Sequence, residues 1–166
     1  MTLRTGFILA GIAAILAGIS RIAAAWPLGV SEAVGPDLFY FFIDAAFLFG
    51  TVGLFTRHAE AMGLLGLAGF VPALFGVALI LGPDVPFMGV DLYALGSTLF
   101  AVGMAIQSGA ALIFRVPFWG AQFFLGALAL GVAAQFVPGV PWHTQVTGTL
   151  FALGFVAGGA QLLRKD

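Results

Sequence analysis

The sequence predicts an all-α membrane protein with six transmembrane helices, arranged as three parallel helical hairpins. Composition is the first observation behind this prediction: of 166 residues, 61% are hydrophobic and only 8% are charged, against about 25% in ordinary soluble domains. The mean hydropathy is +1.13. A net charge of -1 and the absence of cysteine argue against a nucleic-acid-binding surface, disulfide bonds and Cys-ligated metals.

The positions of the hydrophobicity breaks define the individual helices. A bilayer core about 30 Å thick requires about 20 apolar residues per helix. Breaks that carry Pro, Gly, Asp or Arg delimit six spans, which cover approximately residues 6–26, 38–56, 62–82, 92–114, 117–137 and 145–163. These spans fill most of the chain, so we predict a single transmembrane domain over residues 1–166 with no separate soluble domain.

An internal repeat supports the hairpin arrangement. Residues 98–103 (TLFAVG) and 149–154 (TLFALG) match almost letter for letter, and spans two, four and six each finish at an arginine, namely Arg57, Arg115 and Arg164. The repeats cover approximately residues 6–57, 62–115 and 117–164. Because each unit begins and ends on the same side of the membrane, the units are parallel rather than inverted.

The basic residues predict the orientation in the membrane. They occur at the N-terminus, after the even-numbered spans and at the C-terminus, as Arg4, Arg57, Arg115, Arg164 and Lys165. Cytoplasmic loops carry an excess of Lys and Arg, so both termini are predicted to be cytoplasmic in a cell (inner) membrane. The opposite side carries Glu32, Asp37, Asp84 and Asp91, of which Asp37 and Asp91 are placed to cap helix N-termini.

Two charges fall inside the spans. Arg21 and Asp44 each lie several residues from the outer ends of spans one and two, roughly 8–10 Å deep at 1.5 Å per residue. Ionisable groups inside a membrane are costly and typical of functional sites. Two interpretations remain open for this pair: a buried Arg–carboxylate ion pair, or part of a polar substrate path.

A second polar group is predicted nearer the cytoplasmic side. Gln107 and Ser108 on span four, Gln122 on span five and Gln161 on span six come to similar depths. Such groups form hydrogen bonds between helices in many membrane proteins. The alternative is a polar vestibule for a neutral solute.

The two histidines, His58 and His143, receive different interpretations. His143 follows Trp142 at the predicted membrane surface and is a candidate pH-sensitive group, because imidazole titrates near physiological pH; the alternative is a loop residue without such a role. His58, between Arg57 and Glu60, is predicted to be solvated in a tight turn. We predict no metal site and no cofactor, although the Phe-rich second span leaves a bound lipid, quinone or carotenoid open.

The hairpin pattern resembles two membrane protein families. Residues 10–12 through Pro27, and residues 118–120 through Pro138 followed by 148–150, resemble the helix, Pro-containing loop and Gly-rich helix of six-span proteins of the acid-resistance HdeD type. The three-hairpin plan is also similar to the urea/amide channel family, which implies an oligomeric pore for small neutral solutes. That family's intramembrane Asn, Trp and Glu positions have no counterpart in this sequence.

Three functional classes follow from these observations. The first is a small transporter or channel for a neutral or weakly polar solute, with Arg21, Asp44 and the glutamines along its path. The alternative is a non-catalytic accessory subunit of a larger membrane complex, or a lipid- or pigment-binding protein. An intramembrane enzyme ranks last, because Asp44 lacks a second titratable partner for acid–base chemistry. The predicted partners are the lipid bilayer and further copies of the chain or a larger membrane complex, with no nucleic acid.

Overall fold

A computed structural model describes residues 2–26, 36–82, 88–137 and 142–164. Its regular elements within these ranges are the α-helices α1 (Leu3–Ala25), α2 (Pro36–Ile80), α3 (Leu92–Ile113), α4 (Ala121–Ala134) and α5 (His143–Leu163). The predicted all-α class is confirmed. Glu32, Asp84 and Lys165, which contributed to the predicted charge distribution, lie outside the described residues.

Helix α2 contains a reversal of the chain. Its 45 residues are interrupted at Gly63, where φ is 54° and ψ is -145°, a backbone conformation that glycine adopts without steric cost. On either side of this break, the rings of Phe55 and Phe70 stack with centroids 4.1 Å apart. The two arms of α2, residues 36–62 and 64–80, therefore run antiparallel. The prediction of a turn around Arg57 and Glu60 was wrong, because the helix continues through both residues.

The helices have the dimensions of membrane-spanning segments. Helices α1, α2, α3 and α5 are each long and apolar enough to cross a membrane, whereas α4 has only 14 residues. The predicted fifth span, 117–137, is thus shorter than expected at both ends. Residues 116–118 are not helical, and Pro117 and the following turn instead supply backbone groups to contacts with α5.

Small residues let neighbouring helices approach closely. A methyl group built on Gly18 of α1 would lie 2.6 Å from the carbonyl oxygen of Ala152 in α5, and one built on Gly50 of α2 would lie 2.9 Å from the Cβ of Ala14. Such contacts are typical of helix association in lipid, where packing replaces the hydrophobic driving force. Ala10, Ala14 and Gly18, at four-residue spacing on α1, form such a seam of small residues, and all three are buried.

The antiparallel packing collects the basic residues at one end of the bundle. The guanidinium carbon of Arg57 lies 5.5 Å from the ring centroid of Phe7, near the start of α1. The guanidinium carbon of Arg164, which follows α5, lies 5.0 Å from the ring centroid of Trp119, just before α4. We call this the basic end. At the other end, Asp91 caps α3 as predicted, since its side chain accepts a hydrogen bond from Ala94 N at 3.0 Å, whereas Asp37 lies within the first turn of α2.

Candidate functional site

Two adjoining cavities open at the end of the bundle opposite the basic end. Their volumes are about 360 Å³ and about 610 Å³. Arg21, Asp44, Ile80 and Tyr93 line both, so we treat the two as one site and call it the Arg21–Asp44 cavity. Each of the two volumes falls within the range of about 300–1,000 Å³ that is common for small-molecule sites.

The structure brings the two predicted intramembrane charges to this cavity. Arg21 extends from α1 towards α5, where its Nη2 atom lies 3.9 Å from a methyl group built on Gly148. Asp44 enters from the first arm of α2 and lines the same cavities as Arg21. No direct salt bridge joins them among the described residues, so both charges face the cavity. The predicted ion pair stays a prediction.

A hydrogen bond joins the C-terminal end of α1 to α5 near Arg21. The indole Nε1 of Trp26 donates to Thr149 Oγ1 at 3.2 Å. Thr149 is adjacent to Gly148, beside which the Arg21 guanidinium lies. Because Trp26 follows the last residue of α1, this contact fixes the end of that helix against α5 close to the cavity.

Further polar residues complete the upper wall of the cavity. His143, predicted to be a loop residue, is the first residue of α5 and lines the cavity together with Ser97, Gln135 and Thr147. The Thr147 hydroxyl is buried and has no hydrogen-bond partner. Sequence reasoning missed Ser97 and Thr147, since single hydroxyl residues in apolar helices are common and carry no spacing signal.

Three phenylalanines form the floor of the cavity. Phe47, Phe100 and Phe151 line it from α2, α3 and α5, and their ring centroids are 5.0 to 6.2 Å apart. Phe100 and Phe151 occupy the same position in the similar segments TLFAVG (98–103) and TLFALG (149–154). These two segments therefore contribute rings to one point in the bundle.

Below this floor, an aromatic column continues towards the basic end. Phe124 packs on Phe151 at 5.3 Å and on Phe118 at 5.8 Å, and Phe118 packs on the His58 ring at 5.6 Å. Phe118, Phe124 and His58 are all buried. The Arg21–Asp44 cavity is therefore closed on its inner side by packed rings.

A polar cluster terminates the column near the basic end. Gln161 of α5 accepts a hydrogen bond from Trp119 N through Oε1 at 2.9 Å, and its Nε2 donates to Pro117 O. The Gln161 Nε2 atom also lies 3.3 Å from the Nε2 atom of His58. The other ring nitrogen of His58, Nδ1, lies 2.9 Å from the carbonyl oxygen of Leu54. Because a carbonyl can only accept, Nδ1 carries the proton and Nε2 accepts from Gln161. We call these groups the Gln161 cluster.

The other predicted inner polar residues lie apart from this cluster. Gln107 and Ser108 are buried in α3 and bond to Met104, Gln107 Nε2 to the sulfur at 3.6 Å and Ser108 Oγ to the carbonyl at 2.8 Å. Gln122 is exposed on α4. No hydrogen bond between any two of Gln107, Ser108, Gln122 and Gln161 occurs in the described part of the chain. The polar vestibule for a neutral solute stays a prediction.

His58 is the residue that sequence reasoning misjudged most. The prediction of a solvated histidine was wrong, since its side chain is only 6% exposed. The signal was present: Asp37, Asp44, Thr51 and His58 follow one another at seven-residue spacing, about two helical turns, so they lie on one face of α2. Thr51 is fully buried and its hydroxyl has no hydrogen-bond partner.

Neither a metal-binding cluster among the described residues nor a similar known protein indicates the function of the cavity. Within the described ranges, no three His, Asp or Glu side chains come together in a way that could hold a metal ion. Comparison of the chain with protein families, curated proteins and solved structures gives no match. Function is therefore inferred from the geometry of the cavity.

Proposed function

We propose that this protein is a small carrier for a net-neutral or weakly polar solute, with the Arg21–Asp44 cavity as its solute-binding site on the outer side of a cell membrane. One observation carries the proposal: two opposite charges and several hydroxyl and amide groups line a cavity whose inner side is closed by packed phenylalanine rings. Intramembrane charges that face a cavity are typical of substrate pathways.

The aromatic column favours a carrier over an open channel. A channel needs a continuous polar path, whereas Phe47, Phe100 and Phe151 pack across the floor of the cavity. A carrier instead exposes its site to one side at a time and rearranges a gate between states. In this proposal, the six helical segments, including both arms of α2 and the short α4, all cross the membrane with both termini in the cytoplasm.

Cysteine labelling tests the proposed cavity and its closed floor. The chain has no cysteine, so single cysteines report without background. Ser97→Cys lies in the cavity and should react with a membrane-impermeant methanethiosulfonate reagent added from outside. Ser108→Cys, on the same helix and fully buried, is the matched control and should remain unmodified in the resting protein.

Solute uptake tests transport itself. Purified protein in proteoliposomes should accumulate at least one of radiolabelled glycerol, urea, glycine betaine or L-phenylalanine above empty vesicles, and modification of Ser97→Cys should inhibit that uptake. No uptake of any of these solutes would contradict the carrier proposal. Binding without uptake would favour the accessory or ligand-binding alternative, since the apolar floor also suits a bound amphiphile.

A further inference from the structure

We infer that the ligand of the Arg21–Asp44 cavity is a small zwitterion with an apolar body, such as an α-amino acid with a hydrocarbon side chain. This inference rests on the proposed function, which assigns solute binding to the cavity, and it adds the chemical class of the solute. The two charges, the apolar floor and the cavity volume each define one part of the ligand.

The arrangement of the two charges defines the polar part of the ligand. Arg21 and Asp44 come from different helices, line the same cavity and form no direct salt bridge with each other. A guanidinium fits a carboxylate through two parallel hydrogen bonds, and a carboxylate accepts from an ammonium group. A zwitterion supplies both counter-charges at once and adds no net charge to the site.

The floor of the cavity defines the rest of the ligand. Phe47, Phe100 and Phe151 present ring surfaces below the charged groups, and Ala101 and Ala127 line the wall beside them. A ligand that placed only polar groups there would lose hydration without gaining hydrogen bonds. A hydrocarbon or aromatic side chain instead buries apolar surface against these rings.

The part of the Arg21–Asp44 cavity that the three phenylalanines line is small. Its volume of about 360 Å³ is near the lower limit for small-molecule sites, about 300 Å³. This size suits a free solute of amino-acid dimensions. A zwitterionic lipid headgroup offers the same pair of charges, so the experiment must separate the two sources.

Three probes with the same phenyl body test the charge requirement: L-phenylalanine, 2-phenylethylamine and 3-phenylpropionate. Their affinities for the full-length protein are measured by calorimetry in phosphatidylglycerol nanodiscs. We expect L-phenylalanine to bind at least about tenfold more tightly than either singly charged analogue, since each charge-assisted hydrogen bond adds about that factor or more. Equal affinities for all three, or no binding of any, would overturn the inference.

Two charge-removing variants should each weaken a different singly charged probe. Unfolding of a variant would weaken all probes alike and cannot produce this difference. Arg21→Gln should weaken L-phenylalanine and 3-phenylpropionate by about tenfold or more but spare 2-phenylethylamine, and Asp44→Asn should weaken L-phenylalanine and 2-phenylethylamine but spare 3-phenylpropionate. Glu60→Gln, an exposed charge near the basic end, is the control and should change none of them. Equal weakening of all three probes by both folded variants would overturn the inference. If a variant does not fold, the affinities of the three probes for the wild-type protein decide the test.

A lipid arm separates the free solute from a headgroup. Addition of phosphatidylethanolamine to the nanodiscs should leave the affinity for L-phenylalanine unchanged; a fall in apparent affinity would assign the cavity to lipid and overturn the free-solute inference. The failures of the two proposals are distinguishable, because these measurements detect binding alone. Zwitterion-selective binding without uptake would contradict only the carrier, and uptake of glycerol or urea without charge dependence would contradict only the zwitterion.

Discussion

Gln161 contacts three residues in two other segments of the chain through one side chain. Its amide bonds the backbone of Pro117 and Trp119 ahead of α4 and the imidazole of His58 in α2. The side chain is 9% exposed, so water has little access to replace these bonds. Loss of the amide would leave several buried polar groups without these partners, and each such group costs about 1–3 kcal/mol.

Gln161→Ala should therefore lower the free energy of unfolding in detergent micelles by about 2 kcal/mol or more. The measurement is denaturant or thermal unfolding followed by tryptophan fluorescence. Gln122→Ala removes the same side chain from an exposed position on α4 and should change stability by less than about 0.5 kcal/mol. Equal stabilities of the two variants would show that the Gln161 cluster does not hold the basic end together.

The sequence predicts the positions of Arg21 and Asp44 but not the burial of His58. The intramembrane positions of Arg21 and Asp44 could be predicted, because a charge within an apolar run is conspicuous. The burial of His58 could not be predicted from its neighbours, since Arg57 and Glu60 share its segment of sequence but occupy other sides of the same helix. Only the seven-residue spacing to Asp44 and Thr51 places His58 on the inner face of α2.

At the scale of helices, α3 and the second arm of α2 approach each other closely. A methyl group built on Gly103 would lie 2.6 Å from the Gly69 carbonyl oxygen and 2.8 Å from the Ala73 Cα. Both neighbours are backbone atoms of a packed helix, so they cannot move without shifting the helix itself. The close approach therefore requires glycine at this position.

Gly103→Ala should lower the free energy of unfolding by about 1–3 kcal/mol, the usual cost of overpacking. Gly109, six residues further along α3, has no atom within 4 Å of a built methyl group. Gly109→Ala should raise stability by up to about 1 kcal/mol through helix propensity. Denaturant unfolding of the two variants under identical conditions measures whether their free energies of unfolding change in opposite directions. A destabilised Gly109→Ala with an unchanged Gly103→Ala would contradict the packing of α3 on α2.

Helix ends were predicted less well than helix positions. Charges such as Arg57 and Glu60 indicate where a chain leaves the apolar region, but a helix can continue beyond that point, and α2 ends its first arm only at Gly63. Pro117 was compatible with a helix start, yet α4 begins four residues later, because the backbone of Pro117 and Trp119 bonds to Gln161. That contact joins residues over 40 positions apart, which no local pattern reports.

At the scale of the whole molecule, antiparallel packing separates two chemically different ends. The basic end carries Arg57 and Arg164, stacked on Phe7 and Trp119. The opposite end carries the Arg21–Asp44 cavity. Because the two ends are distinct, the orientation of the protein in the membrane decides which side of the membrane supplies the ligand.

Reporter fusions in a bacterial host measure that orientation. Lys and Arg are retained on the cytoplasmic side of membrane proteins, so we expect a green fluorescent protein fused to the C-terminus to fluoresce and an alkaline phosphatase fused there to be inactive. Fusion after Val137, three residues beyond the end of α4 that faces away from the basic end, is the control and should give the reverse pattern. An active phosphatase at the C-terminus would place the basic end outside. The Arg21–Asp44 cavity would then open to the cytoplasm, and the protein would take its ligand from the cell interior.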